Sequence, residues 1–186
     1  MNSYKVLNKQ VFSNGNYSIV PIRFEDRMDI MKWRNEQIYH LRQNKPLTLE
    51  DQEKYFNNVV AKLFDQEQPN QLLFSYLENG VCIGYGGLVH INWIDRNAEI
   101  SFVMNTILEI NDFQDNWINY LKIIEKVAFD DLKFHKIFTY AFDLRPHLYQ
   151  ALEKADFTKE AQLKEHCFFD GNYIDVVIHS KTNEVC

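Results

Sequence analysis

The stretch NGVCIGYGGLVHINWIDRNAEISFVM, residues 79–104, decides the fold of this chain. Its segment CIGYGGL, residues 82–88, holds three of the six glycines in the sequence. Glycines that cradle a phosphate are followed by a helix, whose N-terminus supplies N–H groups and a positive dipole end. Here LVHINWI follows, which is alternating and typical of a strand. We therefore predict glycines within a strand, where they permit a bulge or close approach by another backbone.

The residues around the glycines predict neighbouring strands. Asn79-Gly80 is a strong hairpin signal within residues 71–94, and AEISFVM, residues 98–104, is a further strand. Upstream, YSIVPIRF, residues 17–24, predicts a strand. Its proline favours an edge position, because proline cannot donate a ladder hydrogen bond.

Helices are predicted on both sides of the hairpin in the sequence. Asp26 is a candidate N-cap for a first helix, and TLED, residues 48–51, matches a capping box that opens a second. Residues 112–130 carry apolar side chains on one helical stripe, with Asn111 and Gln114 as candidate capping residues.

The C-terminal part predicts one more crossover and a final hairpin. KIFTYAF, residues 136–142, is a strand, and the proline of RPHLYQALEKA, residues 145–155, suits a first helical turn. DGNY, residues 170–173, joins two last strands. The order β-α-α-β-β-β-α-β-α-β-β predicts an α/β fold with one mixed sheet and helices on both faces.

The composition favours a single globular domain spanning residues 1–186, because 46% of the residues are hydrophobic and 15% aromatic. Twenty basic and 26 acidic residues give a net charge of −6, so nucleic acid is not an expected partner. No apolar run reaches the ~20 residues of a membrane span, and the N-terminus has no signal-peptide pattern. Cys82, Cys167 and Cys186 form no CxxC pair, so we expect reduced thiols, no metal and a cytoplasmic location.

The motifs of residues 79–104 resemble those of GNAT-type acetyltransferases, in the branch of ribosomal-protein N-terminal and amino-sugar N-acetyltransferases. That branch shows G-x-x-I-G-x-x-x-L, a hydrophilic turn and R-x-A-E-I-G-[YF]. The matching residues are Gly80, Ile83, Gly84, Leu88, Arg96, Ala98, Glu99, Ile100 and Phe102. The resemblance covers about residues 17–180, and further matches are PIRFEDRMDIMKWRN (21–35), LTLEDQEKYF (47–56), ALEKADF (151–157), Gly171, Tyr173 and Asp175.

The resemblance implies a six- to seven-stranded, mostly antiparallel sheet with about four helices on both faces and splayed central strands. It implies transfer of an acetyl group from acetyl-CoA to a primary amine, either an amino-sugar nucleotide or a protein N-terminus. It further implies a pantetheine arm held by backbone groups of Phe102, Val103 and Met104. A monomer or homodimer that needs neither a metal nor a membrane is expected.

The sequence departs from the family at the loop for the CoA pyrophosphate. In place of [QR]-x-x-G-x-[GA] it has EINDFQDNW, residues 109–117, without glycine, lysine or arginine. Arg145 is a candidate to compensate by binding a phosphate, although it is equally a surface residue of a first helical turn. The N–H groups that remain for the phosphates are those of Phe113, Gln114, Asp115 and Asn116. A GNAT-like domain that binds a ligand or partner without catalysis is therefore the alternative.

Two residues are candidates for the chemistry. Glu99 matches a position that parts of the family use to take the proton of the attacking amine, or it forms an ion pair with Arg96. Leu152 stands where many family members have the tyrosine that protonates the CoA thiolate. Tyr149 lies one turn earlier and is either that acid or a core aromatic residue.

Three more residues are candidates for the acceptor site. Trp33 and Arg34 fall where the first helix of the family borders the acceptor, although Trp33 is equally suited to the core. His90, on the third strand of the family pattern, is a candidate pocket base or a packed strand residue.

Overall fold

The computed structural model of the protein describes residues 2–41 and 43–184, so Cys186 lies outside the described residues. These residues form one sheet with the strand order β1-β2-β3-β4-β5-β6-β8-β7. The strands are β1 (Phe12–Asn14), β2 (Tyr17–Pro21), β3 (Leu72–Glu78), β4 (Val81–Asn92), β5 (Asn97–Met104), β6 (Lys136–Phe142), β7 (Thr158–Phe169) and β8 (Asn172–Thr182). The helices are α1 (Arg27–Glu36), α2 (Leu49–Tyr55), α3 (Ala61–Leu63), α4 (Thr106–Asn111), α5 (Phe113–Glu125) and α6 (Pro146–Lys154).

The predicted mixed and mostly antiparallel sheet is confirmed, since β5 with β6 is the one parallel pairing among the described strands. The sheet has eight strands and not six or seven. The additional strand is β1, whose three residues are too few to show an alternating pattern. It pairs with β2, so β2 is not the edge strand that its proline predicted. Pro21 lies beyond the last β1 partner, Ile19, which explains why a proline is tolerated there.

The predicted helix N-caps are confirmed at α2, in part at α1 and not at α5. The Thr48–Asp51 capping box of α2 is present, and π-helical residues 56–60 connect α2 to α3. Asp26 occupies the N-cap position of α1, but its side chain makes no capping bond and instead pairs with Arg23 at 2.7 Å. The predicted caps Asn111 and Gln114 are wrong, because Asp112 precedes α5.

The helices cover both faces of the sheet, as predicted. On one face, the ring of Phe102 in β5 stacks on Tyr120 of α5 at a centroid distance of 3.9 Å. On the other face, Tyr85 of β4 accepts a hydrogen bond from Arg34 of α1. The pleated strands thus direct one set of side chains to α5 and the other to α1.

The glycine cluster lies in β4, as predicted, and for the predicted reasons. A Cβ at Gly86 would overlap the Ser101 carbonyl oxygen and the Tyr120 hydroxyl, and one at Gly87 would overlap the Leu72 carbonyl oxygen. The β3–β4 register also shifts between Tyr76 and Leu77, which marks a bulge next to the cluster.

The predicted splay of the central strands is also confirmed. β5 and β6 pair only over residues 97–99 and 136–138, although β5 continues to Met104 and β6 to Phe142. The two strands therefore separate after Glu99 and Phe138 and leave a gap in the sheet. Within the described ranges, no helix is both long enough and apolar enough to cross a membrane.

Candidate active site

Two cavities meet at the splayed strands. The first, of about 340 Å³, lies in the gap between β5 and β6. The second, of about 460 Å³, lies between the sheet and helices α1 and α2. Arg34, Gln71, Val89 and Ser101 line both cavities, so the two form one continuous groove across the sheet.

Glu99 lies at the point where the strands separate. It is the last β5 residue paired with β6, it is only 6% exposed, and it lines the first cavity. Its Oε2 is 2.7 Å from Nδ1 of His90. The ion pair with Arg96 that sequence analysis gave as the alternative is replaced by this pair with His90.

A backbone irregularity in β4 holds His90 against Glu99. The β4–β5 register shifts between Val89 and Asn92, and His90 adopts a left-handed φ of 48°. Such a conformation is strained for a residue with a side chain and is found preferentially at functional sites. The His90 side chain is 66% exposed, so the bulge connects the buried carboxylate of Glu99 to solvent.

Of the two acceptor-site candidates on α1, the structure brings only Arg34 to the groove. Its Nη1 donates to the Tyr85 hydroxyl, and its Nε donates to Oε1 of Gln43 at 3.0 Å. Trp33 is 3% exposed and lines neither cavity, so it is a core residue.

Tyr149 does not line either cavity, whereas its neighbour Leu148 lines the first. The Tyr149 hydroxyl donates to Oδ1 of Asp143 at 2.8 Å, and its ring stacks on His179 at 5.0 Å. Burial and the Asp143 carboxylate together raise the pKa of Tyr149 above its ordinary value. Leu152, at the position of the family tyrosine, is fully buried.

The segment that departs from the family sequence, residues 109–117, forms the end of the short helix α4 and the start of α5. Asn105 caps α4 by accepting a hydrogen bond from the Ile107 amide at 3.0 Å. Within α4, Glu109 accepts a hydrogen bond from Nη1 of Arg145 at 2.8 Å. The two side chains are only 9% and 10% exposed, so each neutralises the other in a largely buried ion pair.

The start of α5 holds the residues predicted to meet the pyrophosphate. Phe113 is buried against His147, with the two ring centroids 4.3 Å apart. The backbone N–H of Asn116 donates to the Asp112 carbonyl at 3.2 Å. Asp115 lies in the first turn of α5.

A lysine missed by sequence analysis adds positive charge beside this first turn. Lys154, from α6, donates to Oε1 of Gln114 at 2.6 Å, while the Gln114 amide donates to Gln150 at 3.1 Å. Because Lys154 is 40 positions away from Gln114, only the packing of α6 on α5 places it there.

The predicted backbone contacts of β5 are partly used within the protein. Phe102 lines the first cavity, and the side chains of Phe102, Val103 and Met104 are buried. The Met104 carbonyl accepts a hydrogen bond from Nε2 of Gln37 at 2.7 Å. Past Glu99, the edge of β5 that faces β6 has no strand partner in the described parts of the chain.

His40 is a further groove residue that sequence analysis missed. It lines the first cavity, where burial and then the nearby charge of Arg145 lower its pKa to about 3. His40 is therefore a neutral imidazole at physiological pH. No group of three or more His, Cys, Asp or Glu side chains that could hold a metal ion is found among residues 2–41 and 43–184.

Comparison with known families and structures identifies the fold. A family model described as an acetyltransferase (GNAT) domain matches residues 19–178. The spermidine N-acetyltransferase of Vibrio cholerae in complex with CoA and spermine has a TM-score of 0.76 at 20% identity, over 91% of this chain and 96% of that chain. Mutant forms of the spermidine/spermine N-acetyltransferase of the same organism have a TM-score of 0.74 at 22% identity, over 91% and 95%. A dodecameric structure of that spermidine N-acetyltransferase has a TM-score of 0.70 at 21% identity, over 91% and 95%.

Proposed function

The chain belongs to the GNAT acetyltransferase family, and on that premise we propose that Glu99 takes the proton from the amine that it acetylates. Members of this family use acetyl-CoA as the acyl donor, so the chain is an N-acyltransferase that acts on an amine. The role of Glu99 is supported by its position, because it is a buried carboxylate in the cavity where β5 and β6 separate.

The residues of the groove fit the acyl donor. The unpaired edge of β5 offers backbone groups to the pantetheine arm, and the first turn of α5 offers the N–H groups that a helix leaves without internal partners. Lys154 supplies positive charge beside that turn. Because Arg145 is held by Glu109, we propose that it neutralises this carboxylate and does not itself contact phosphate.

Acetyl-CoA supplies a thioester-activated acetyl group. An alkylammonium must lose a proton before its nitrogen can form the new bond to the acyl carbon, and Glu99 is positioned to accept that proton. His90 then passes the proton to solvent, because it contacts Glu99 at 2.7 Å and is largely exposed. The carbon–sulfur bond breaks to leave a thiolate, which solvent can protonate because thiol pKa values lie near 8.5. This scheme needs no acid at the position of Tyr149.

The second cavity is the proposed site of the acceptor amine, since it joins the first cavity at Ser101. The similar solved enzymes are named for spermidine and spermine, which supports a polyamine acceptor. The sequence resemblance instead favours an amino-sugar nucleotide or a protein N-terminus. A monomer or homodimer was expected from the sequence, whereas the similar spermidine N-acetyltransferase of Vibrio cholerae forms a dodecamer.

The alternative, a domain that binds without catalysis, is favoured by one observation. Residues 109–117, which form the end of α4 and the start of α5, contain no glycine, so the backbone there cannot approach a phosphate as closely as glycines allow. The two functions differ in whether CoA is released from acetyl-CoA in the presence of an amine.

The test is to follow release of free CoA with a thiol reagent while a panel of primary amines is supplied. We expect amine-dependent release that falls strongly in Glu99→Gln. The matched control is Glu67→Gln, because Glu67 is an exposed carboxylate paired only with Lys5 among the described residues. Release equal in both variants would remove Glu99 from the mechanism, and no release with any amine would favour the non-catalytic alternative.

A further inference from the structure

Arg34 is a cation that has no carboxylate partner among the described residues. It lies half-buried in the wall that the two cavities share. Its hydrogen bonds are to Tyr85 and Gln43, both of which are neutral. Within residues 2–41 and 43–184, no carboxylate oxygen lies within the 4.0 Å that defines an ion pair with Arg34. Because a guanidinium has five N–H donors, Arg34 retains donors for a ligand.

The neighbours of Arg34 hold it in one position. The Gln43 side chain donates to Oδ1 of Asn35 at 3.1 Å and to the Lys45 carbonyl at 3.0 Å. The same Asn35 oxygen accepts the Leu47 amide at 2.7 Å. Tyr85, the other partner, is only 5% exposed. The guanidinium is therefore oriented before a ligand arrives, which lowers the entropic cost of binding one.

The charges of the second cavity are mostly positive, although the whole chain carries −6. Among the described residues that line it, the charged ones are Arg34, Lys45 and Asp51. Oδ2 of Asp51 accepts hydrogen bonds from the Thr48 amide at 3.0 Å and the Thr48 hydroxyl at 2.8 Å, so one of the two carboxylate oxygens is already used within the chain. Most of the remaining lining is apolar or aromatic, and it includes Ile22, Ile30, Leu47, Tyr55, Phe56 and Leu73.

This arrangement suits one class of acceptor and opposes another. An ammonium group of a polyamine placed beside Arg34 would meet a like charge in a partly desolvated site. A carboxylate or phosphate would instead form charge-assisted hydrogen bonds with the same guanidinium, whose planar fork matches two oxygens of either group. Because Arg34 also lines the first cavity, an anion that it holds would lie close to the amine that faces Glu99.

We infer that the acceptor is an amine that also carries an anionic group, a carboxylate or a phosphate, and that Arg34 selects for this group against polyamines. This inference rests on the proposed function, since it assigns the acceptor of the same groove. It makes Arg34 a determinant of substrate specificity.

The test compares acceptors that differ only in the anion. Leucine is paired with leucinamide for the carboxylate, glucosamine 1-phosphate is paired with glucosamine for the phosphate, and spermidine is the polyamine. Rates are compared per concentration of free amine, because the paired compounds differ in amine pKa. We expect kcat/KM to be about 10- to 100-fold higher for the anionic member of at least one pair, and that pair identifies the anion.

The second part of the experiment uses variants of Arg34. Arg34→Gln should remove the preference for the anionic acceptor and leave the neutral one within about threefold, whereas Arg34→Lys should restore part of it by keeping the charge. Arg27→Gln is the matched control on the same helix, because Arg27 is already paired with Glu53 at 2.7 Å. Its preference should equal that of the wild type.

Outcomes for the inference and for the proposed function are separable. A wild type that acetylates spermidine or the neutral amines best overturns the inference and leaves the acetyltransferase function intact. The same holds if Arg34→Gln impairs neutral and anionic acceptors equally. If no acceptor yields free CoA, the proposed function fails, and calorimetric titration with the anionic acceptors decides the inference. Binding that is lost in Arg34→Gln supports it, and binding that is absent or unchanged in the variant overturns it.

Discussion

The double hairpin of strands β3, β4 and β5 (hereafter the hairpin) and the α4–α5 junction follow each other along the chain but are held together by different forces. In the hairpin, strands approach so closely at Gly86 and Gly87 that no other side chain fits. In the junction, a largely buried ion pair joins Glu109 of α4 to Arg145, the residue before α6. The hairpin should therefore tolerate no added volume, whereas the junction should tolerate no unpaired charge.

The largest effect is expected from Arg145→Ala in the junction. It leaves the carboxylate of Glu109 largely buried without a partner, which typically lowers the free energy of unfolding by about 3–5 kcal/mol. Chemical denaturation measures the loss. The double variant Arg145→Met with Glu109→Leu should recover most of it, because two apolar side chains can replace a buried ion pair. A double variant as unstable as the single one would contradict the role assigned to the pair.

The next effect is that of Glu99→Gln in the hairpin. We expect a fall in kcat of about 10²-fold at neutral pH with an unchanged melting temperature, because a lost general base typically costs at least that factor. The deficit should shrink at high pH, where the amine is already deprotonated. A pH–rate profile of the variant parallel to that of the wild type would exclude Glu99 as the base.

A smaller effect is expected from Gly87→Ala, where the added methyl group meets the Leu72 carbonyl oxygen. Overpacking of this kind lowers the free energy of unfolding by about 2 kcal/mol. Ile110→Ala serves as the control in the junction, because Ile110 is 76% exposed and its loss should change stability by less than about 0.5 kcal/mol. Equal stability of the two variants would refute the contrast in packing between the two regions.

The smallest effect is expected from Tyr149→Phe. Because Tyr149 lies outside the cavity and donates to Asp143, turnover should stay within about twofold of the wild type. The role of general acid predicted from the sequence would instead give a loss of roughly 10²-fold. Steady-state kinetics with saturating acetyl-CoA separates the two.

The sequence predicts the hairpin better than the junction because the hairpin signals are local. The Asn79-Gly80 turn and the alternation of residues 89–92 in β4 depend on near neighbours in the sequence, and both were confirmed. The short elements β1 and α4 carry too few residues to show a period.

Contacts between residues that are far apart along the chain could not be predicted from the sequence either. Glu109 and Arg145 are 36 positions apart, and no spacing rule predicts their ion pair. The side to which Tyr149 points depends on how α6 docks, which places its ring on His179 and away from the cavity. The Arg34 environment likewise depends on the loop that brings Gln43 to α1.

The central claim is that the junction still binds acetyl-CoA although its glycines are gone, and thermal unfolding with the ligand tests this most directly. At a ligand concentration of about 100 times Kd, binding adds about 2.7 kcal/mol, which for a chain of this size raises Tm by roughly 5–10 °C. Desulfo-CoA should give the same shift, because the contacts at issue are to phosphate and pantetheine. Lys154→Ala should give a smaller shift if its charge helps the first turn of α5 to hold the phosphates. An unchanged Tm at millimolar acetyl-CoA, in a protein that unfolds cooperatively without it, would contradict the account.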